Sequence, residues 1–386
     1  MSEIRYVGVS DRYISLFERQ YPVEHGITYN SYVIFGERPV VVDSVDAAFA
    51  LQWLTNVEKA LEGRCPAALV CQHLEPDHSG SLRALLDRYP GMSLIVSSRA
   101  ASMLPNFLDA EAYAGRLITV GEGDTYDLAG GSGLTFMMTP MVHWPEVMMT
   151  YLASEKTLFS ADGFGSFGVP EFPQPCWADE AARYYFNIVG KFGPSVQAVL
   201  KKAAVLDIEH ILPLHGPQLS GDALAEALRL YDLWSRYEPD REGDVLIAVA
   251  SIYGNTYEAA LELASELGQR ARIVDLTKTD VSFAVAEAFR CRDIVLAAAS
   301  YDGGVFPPMA AFLSRLAAKG WRNRRVAIVE NGSWSPCAAR AIESTLSTLK
   351  GIDIVGTATV TTRLDGESRR AVMALAGRQF KNELRK

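Results

Sequence analysis

Residues 71–80 of this 386-residue chain read CQHLEPDHSG, which sets His73, Glu75, Asp77 and His78 at four of six consecutive positions. All four are metal-ligating types, and they follow an apolar run at 67–70. In extended chain, residues two apart share a side. Pro76 fixes its own φ and pushes Glu75 toward extended geometry. His73, Glu75 and Asp77 are therefore predicted to converge on one side while His78 faces another. Three more candidates each end an apolar strand and are followed closely by Gly or Pro: His143 in TPMVHWPE, Asp162 in LFSADGFG and His215 in ILPLHGPQ. Loops at strand ends on a rigid sheet are where binding groups gather. Singly, each has an ordinary explanation, a hydrogen-bonded core histidine or a turn aspartate. Seven in one pattern point to a metal centre held by imidazole nitrogen and carboxylate oxygen.

A second candidate lies at VASIYGNTYEAA, where Ser251, Tyr253, Gly254, Asn255 and Thr256 sit between a buried strand and a helix. Hydroxyls and free backbone N–H groups at a helix N-terminus bind a phosphate dianion. The loop accommodates one phosphate and contains no GxGxxG, so a mononucleotide is favoured over a dinucleotide. Two more segments follow later strands, ASYDGGVFPPM (299–309) with Ser300, Tyr301, Asp302, Gly303 and Gly304, and ENGSWSPCAA (330–339) with Asn331, Gly332, Ser333 and Trp334. In open α/β sheets, ligands bind outside the carboxyl ends of the strands.

The elements that must position these groups differ between the two halves. From residue 245, short apolar runs alternate with amphipathic stretches. Strands are predicted at 245–250, 271–276, 293–299, 325–330 and 352–360, with helices such as 257–269, 310–319, 338–349 and 367–385. Strands apolar throughout are buried on both faces, which implies a parallel sheet covered by helices, a small doubly wound domain over 245–386. Residues 1–240 form a mixed domain, with an early hairpin (28–36 and 38–44), a strand cluster at 133–162, and helices near 46–62, 79–88 and 178–203. The charged stretch RYEPDREGD (236–244) is the best boundary candidate. No internal repeat or low-complexity tract is present.

Composition closes off other classes. Hydrophobic residues make up 49% and charged residues 22%, ordinary globular values. A net charge of −9 argues against a nucleic-acid partner, which needs clustered Lys and Arg. No apolar run approaches the ~20 residues that span a bilayer, so no membrane partner is expected. The N-terminus interleaves charges with apolar residues, unlike a signal peptide, and a cytoplasmic protein is expected. The five cysteines form no CxxC, which excludes a zinc ribbon, a rubredoxin-type site and an iron–sulfur cluster built within this chain.

HxExDH followed at long intervals by His, Asp and His resembles the metallo-β-lactamase fold, and more specifically that domain in flavodiiron proteins. The words TYNSY (28–32), HWPE (143–146) and DGFG (162–165) resemble the same family. The loop at 251–256 resembles the phosphate loop of flavodoxins, whose ligand is FMN. The resemblance implies an N-terminal metallo-β-lactamase-like αββα sandwich and a C-terminal flavodoxin-like doubly wound five-stranded parallel sheet. Zinc hydrolases of the superfamily usually carry His where this chain has Glu75, and a more anionic, oxygen-rich site suits iron. Carried over, His73, Glu75 and His143 would hold one iron, Asp77 and His215 the second, and Asp162 would bridge them. The counterpart of His78 reaches the metal in some members and not in others. His25 and Tyr184 correspond to substrate-pocket residues that could supply protons or hydrogen bonds; a satisfied histidine and a packed aromatic are the structural alternative. Four histidines and three carboxylates can balance two Fe²⁺ while leaving an open position on each.

The chain departs from the family in its flavin loops. Ser300-Tyr301-Asp302 stands where many members have Ser-Pro-Thr. The third loop keeps Trp334 and Ser335 but has Pro336 where a glycine is usual. The implied activity is reduction of O2 to water, of NO to N2O, or of both, with electrons relayed through FMN. The family assembles as a head-to-tail homodimer or dimer of dimers. With no rubredoxin or flavin-reductase module in the sequence, the expected electron donor is a separate molecule such as rubredoxin. Two rival classes stand beside this: a binuclear zinc hydrolase with a flavodoxin-like docking domain, and a non-enzymatic electron carrier with a metal-free first domain.

Overall fold

Alternating apolar residues up to Ser220 build two six-stranded sheets flanked by two short two-stranded ones, and the apolar runs from Arg241 onward build another large sheet. The computed structural model describes residues 3–173 and 176–378, in two compact units, Met1–Asp232 and Leu233–Lys386. In the first unit, strands Glu3–Tyr6, Tyr32–Phe35, Val40–Val42, Ala68–Val70, Ser93–Ser97 and Leu117–Val120 form one sheet in that order. The early hairpin is present, Tyr32–Phe35 running antiparallel to Val40–Val42. The second sheet orders Thr125–Ala129, Ser132–Met138, Met148–Leu152, Thr157–Phe159, His210–Leu212 and Leu219–Ser220.

Successive strand residues face opposite ways. Tyr32, Ile34, Val40, Val42, Ala68 and Val70 therefore meet Leu134, Phe136, Met148, Leu152, Phe159 and Leu212 of the other sheet in one buried core. Helix Ala50–Leu61 lays Trp53, Val57 and Leu61, four residues apart, onto the first sheet. The result is the metallo-β-lactamase-like sandwich that was expected. The helix predicted over 178–203 is broken into Trp177–Tyr184, a wide turn Tyr185–Val189, a tight turn Gly190–Phe192 and Gly193–Ala203. Gly190, Gly193 and the Pro in the first turn of the last helix explain the interruption. Wide π-type turns inside helices are frequent at functional sites, and this one begins directly after Tyr184.

In the second unit, Ala271–Asp275, Arg241–Ala250, Cys291–Tyr301, Arg324–Asn331 and Ile352–Val360 pair in parallel in that order. This is the doubly wound arrangement with the first strand second from the edge. Val245, Ile247 and Val249 pack under helices Asn255–Leu267 and Gly366–Arg378 on one face. Helices Val281–Arg290, Pro307–Ala318 and Ala338–Leu346 adjoin one another in series. Right-handed crossovers place them on the other face.

Three details differ from the sequence pattern. The first strand starts at Arg241, inside the charged stretch 236–244, because Arg241 pairs with Glu287 and Asp240 with the buried Arg290. Asp302 and Gly303, both at positive φ, close a two-residue hairpin that adds a short strand Gly304–Val305 to Cys291–Tyr301. The closing helix is Gly366–Arg378, and the remainder of the predicted 367–385 lies outside the described residues.

Candidate functional site

Strands Ala68–Val70, Ser132–Met138, Thr157–Phe159 and His210–Leu212 end in the loops that carry His73–His78, His143, Asp162 and His215. The first two sheets thus deliver all seven candidate ligands to one region, in two groups. His73, Glu75, His143 and Asp162 form one, and Asp77, His78 and His215 the other, with the ligand atoms of each group within 4.8 Å of one another. Glu75 Oε2 lies 3.1 Å from His73 Nε2 and 3.0 Å from His143 Nε2. Asp77 Oδ2 lies 3.3 Å from both His78 Nε2 and His215 Nε2. Asp162 stands between the groups. Its Oδ2 is 3.4 Å from His73 Nε2 and 3.1 Å from His143 Nε2, while its Oδ1 is 3.2 Å from His78 Nε2 and 3.7 Å from His215 Nε2.

The local fold differs from the predicted alternation at one point. Glu75 is extended, with φ −56° and ψ 137°, but Pro76 opens a short helix Pro76–Ser79. Strand alternation ends at Glu75, so Asp77 leaves the side of His73 and Glu75, and His78 joins Asp77 at the second group.

Backbone and carboxylate acceptors orient the rings. His73 Nδ1–H donates to Glu146 Oε1 (2.8 Å), which also accepts the Leu74 N–H (3.0 Å). His215 Nδ1–H donates to the Thr28 carbonyl (2.7 Å). Each bond puts the proton on Nδ1 and leaves Nε2 free to ligate. Asp43, fully buried, accepts from Gln72 N–H and Nε2 (2.7 and 2.8 Å) and so fixes the residue before His73. Sequence reading missed these supports. Glu146 lies within the noted HWPE, but nothing in its spacing ties it to His73, and a carbonyl such as that of Thr28 has no residue signature at all.

Tyr184 is buried with its ring centroid 5.5 Å from that of His215, and Phe17 covers the same ring at 5.3 Å. His25 is half-buried, and its carbonyl accepts the Val169 N–H. Its ring is in none of the ring pairs around His215 among the described residues. Glu18, exposed at the tip of hairpin Leu16–Phe17/Tyr21–Pro22, was not foreseen. Although the residue is exposed, partial desolvation of its carboxyl and then the charges of Glu75 and Asp77 raise its pKa.

The centre is short of positive charge. Burial disfavours the charged form of His73, but Asp162, Glu146 and Glu75 more than offset it and hold its proton well above the usual imidazole range. Burial likewise opposes charge on His143, yet Asp162 and Glu75 raise it to about 9. Burial would raise Glu75, but hydrogen bonds from His143 and His73 bring it down to about 2. Neither oxygen of Asp77 or of Asp162 receives a hydrogen bond among the described residues, although all four are buried. Buried carboxylates without donors, clustered with imidazole Nε2 atoms that give up their protons to a metal, are the environment of metal cations. The seven donors fit two ions, with Asp162 offering one oxygen to each group.

In the second unit a cavity of about 670 Å³ opens over the carboxyl ends of Arg241–Ala250, Cys291–Tyr301 and Arg324–Asn331. Of the candidates, Ser251, Tyr253, Asn255, Thr256, Ser300, Tyr301, Asp302, Gly303, Asn331, Gly332, Ser333 and Trp334 line it; Gly254 and Gly304 do not. Cys337 and Arg340, not foreseen, do. Gly254, at φ 98°, caps helix Asn255–Leu267, donating its N–H to Ser251 Oγ (3.1 Å), and no side chain caps that helix. Its first-turn N–H groups are therefore available to a phosphate. Tyr253 and Trp334 stand 93% and 92% exposed at the rim and offer planar faces to a flat ligand. Size, loop and aromatics fit FMN.

Known proteins agree with this picture. Residues 27–216 match the family described as ODP family beta lactamase. The chain is 26% identical over 359 residues to an anaerobic nitric oxide reductase flavorubredoxin of Aeromonas salmonicida, covering 89% of this chain and 68% of the relative. It is 27% identical to the protein of that name from Aliivibrio fischeri, covering 90% and 72%. The flavodiiron protein from Giardia intestinalis superposes with a TM-score of 0.88 at 25% identity, over 97% of this chain and 93% of that one. The rubredoxin oxygen:oxidoreductase of Desulfovibrio gigas, at 22% identity, shares the fold with a TM-score of 0.88 over 98% and 97%. With a metallo-β-lactamase-like sandwich carrying the ligand cluster and a flavodoxin-like sheet carrying the cavity, the chain belongs to the flavodiiron proteins.

Proposed function

We propose that this protein is an oxidoreductase that reduces NO to N2O, O2 to water, or both, at a diiron centre supplied with electrons through FMN. One observation carries the reading: Asp162 divides its two oxygens between two buried ligand groups in a chain that also holds a mononucleotide-sized cavity. When bound, two irons supply open positions and electrons for a diatomic ligand, and FMN supplies a two-electron relay.

The chain's own residues do the rest. His73, Glu75 and His143 are assigned to one ion and Asp77 and His215 to the other, with Asp162 shared. His78, whose Nε2 lies 3.1 Å from His215 Nε2, is assigned to the second ion. Glu146 and the Thr28 carbonyl hold His73 and His215 in the ligating tautomer. Phe17, Phe167 and Tyr184 pack edge to face beside His215 and give the centre an apolar wall, which suits uncharged diatomics and excludes bulk water. Reduction consumes protons: O2 + 4e⁻ + 4H⁺ → 2H2O and 2NO + 2e⁻ + 2H⁺ → N2O + H2O. Tyr184 beside His215 is a candidate donor, and His25 is retained as a second from the resemblance.

The relatives' name, flavorubredoxin, supports a rubredoxin-type electron donor. No helix of the described residues is long and apolar enough to cross a membrane, and a cytoplasmic location is proposed. The metal ligands and the cavity lie in different units, and a head-to-tail homodimer or dimer of dimers is proposed to bring them together. The test is metal and flavin content of anaerobically purified protein, followed by stopped-flow mixing of the reduced protein with NO and with O2. Two irons and one FMN per chain, with oxidation by either gas, support the reading. Two zincs without flavin overturn it in favour of a hydrolase.

A further inference from the structure

Two charged carboxylate or guanidinium side chains line the cavity of the second unit, Asp302 at the hairpin tip and Arg340. Arg340 is exposed in the first turn of helix Ala338–Leu346, and its guanidinium has no hydrogen bond or ion pair with any described residue. A cation there opposes the positive end of the helix dipole, and no acidic residue in that turn offsets it. The helix end itself is satisfied. Cys337 and Ala338 donate their N–H groups to Ser300 Oγ (2.8 and 3.1 Å), and Ala339 donates to Glu330 Oε2 (3.0 Å). The unanswered charge is the guanidinium, and it faces a cavity.

A bound FMN offers two anions, its phosphate and its reduced ring. The phosphate loop leads into helix Asn255–Leu267, which packs with Gly366–Arg378 on one face of the sheet. Helix Ala338–Leu346 belongs to the opposite face, where it adjoins Pro307–Ala318 and the short strand Gly304–Val305. Arg340 therefore stands among the second and third loops, away from the phosphate loop. We propose that Arg340 is the counter-ion of the reduced flavin ring and biases the cavity toward reduced FMN; this rests on the flavin reading above. Two electrons from the external donor and one proton convert FMN to FMNH⁻, with the proton at N5 and the negative charge at the N1–C2=O end. A guanidinium beside that end favours the anion over the neutral oxidised ring and raises the two-electron potential.

The test uses the full-length protein, stripped of flavin and reconstituted with FMN or with riboflavin, as parent, Arg340→Gln and Arg340→Lys. The readouts are the dissociation constant of the oxidised flavin and the midpoint potential by dye equilibration. Arg340→Gln is expected to bind oxidised FMN within about threefold of the parent. It should lose roughly tenfold in preference for the reduced flavin, equivalent to a fall of about 30 mV for a two-electron couple. Riboflavin should show the same fall, and Arg340→Lys should recover most of it. An unchanged potential overturns the proposal. So does a loss of FMN affinity that riboflavin does not share, because that places the guanidinium on the phosphate. A parent that takes up no flavin overturns the flavin reading itself.

Discussion

At the scale of single residues, the centre depends on groups that never touch a metal. Glu146 is buried and accepts from both His73 Nδ1 and the Leu74 N–H. Glu146→Gln keeps the shape and removes the charge that makes His73 a stronger ligand. Metal affinity should fall about 10–100-fold with little change in fold, read by competition against a chelator. Asp43 makes a different prediction. Burial raises its carboxyl from 3.8 to about 6, so the folded state holds that proton more tightly than the unfolded state. The stability this confers is complete only well below pH 3.8 and is lost as pH rises through about 6. Asp43 sits at φ 54°, which Asn tolerates. In chelated protein, the stability of Asp43→Asn relative to the parent should improve by about 2 kcal/mol between pH 4 and 7. Urea titration at both pH values measures this, and a difference independent of pH would contradict it. The seven candidate ligands stand out in the sequence because their residue types are scarce and stand at strand ends, and the fold gathers them into two groups. Glu146 and Asp43 do not stand out, because their partners His73 and Gln72 lie far along the chain and only the fold brings them together.

At the scale of elements, strand positions were read well where burial alone determines them, as in the five apolar runs of the second unit. They were read poorly where distant charges intervene. Arg241 extends its strand because Glu287, in a later helix, neutralises it, and a local apolar pattern contains no trace of that pair. Turns were also lost. Pro76 was taken to prolong an extended segment, yet a proline also suits the first turn of a helix, and that turn sends Asp77 and His78 to the second group. The Asp302–Gly303 hairpin shapes the second cavity loop, and Gly303 stands at φ 70°. A β-branched residue there costs about 1–2 kcal/mol. Gly303→Val should therefore weaken FMN binding about tenfold while leaving metal content unchanged, as flavin fluorescence titration and elemental analysis would show.

At the scale of the whole molecule, each unit carries a complete set of groups for one cofactor: ligands between His73 and His215, cavity residues between Ser251 and Thr362. That division was visible in the sequence, where a mixed pattern gives way to regular βα alternation. The units divide between Asp232 and Leu233, ahead of the charged stretch 236–244, whose last four residues already belong to a strand. The ligands come from four separated stretches, at 73–78, 143, 162 and 215. Ions that bind all four act as cross-links as well as reagents. Each ion present at a hundred times its dissociation constant adds about 2.7 kcal/mol to the folded state. Chelation should lower the melting temperature of the first unit's transition in a concentration-dependent way, and calorimetry with and without chelator would show it. The split carboxylate of Asp162 has a further consequence for assembly. Its two oxygens are buried and face different ligand groups, so the affinity of either place depends on whether the other is filled, and a metal titration should show two coupled binding steps rather than two independent ones.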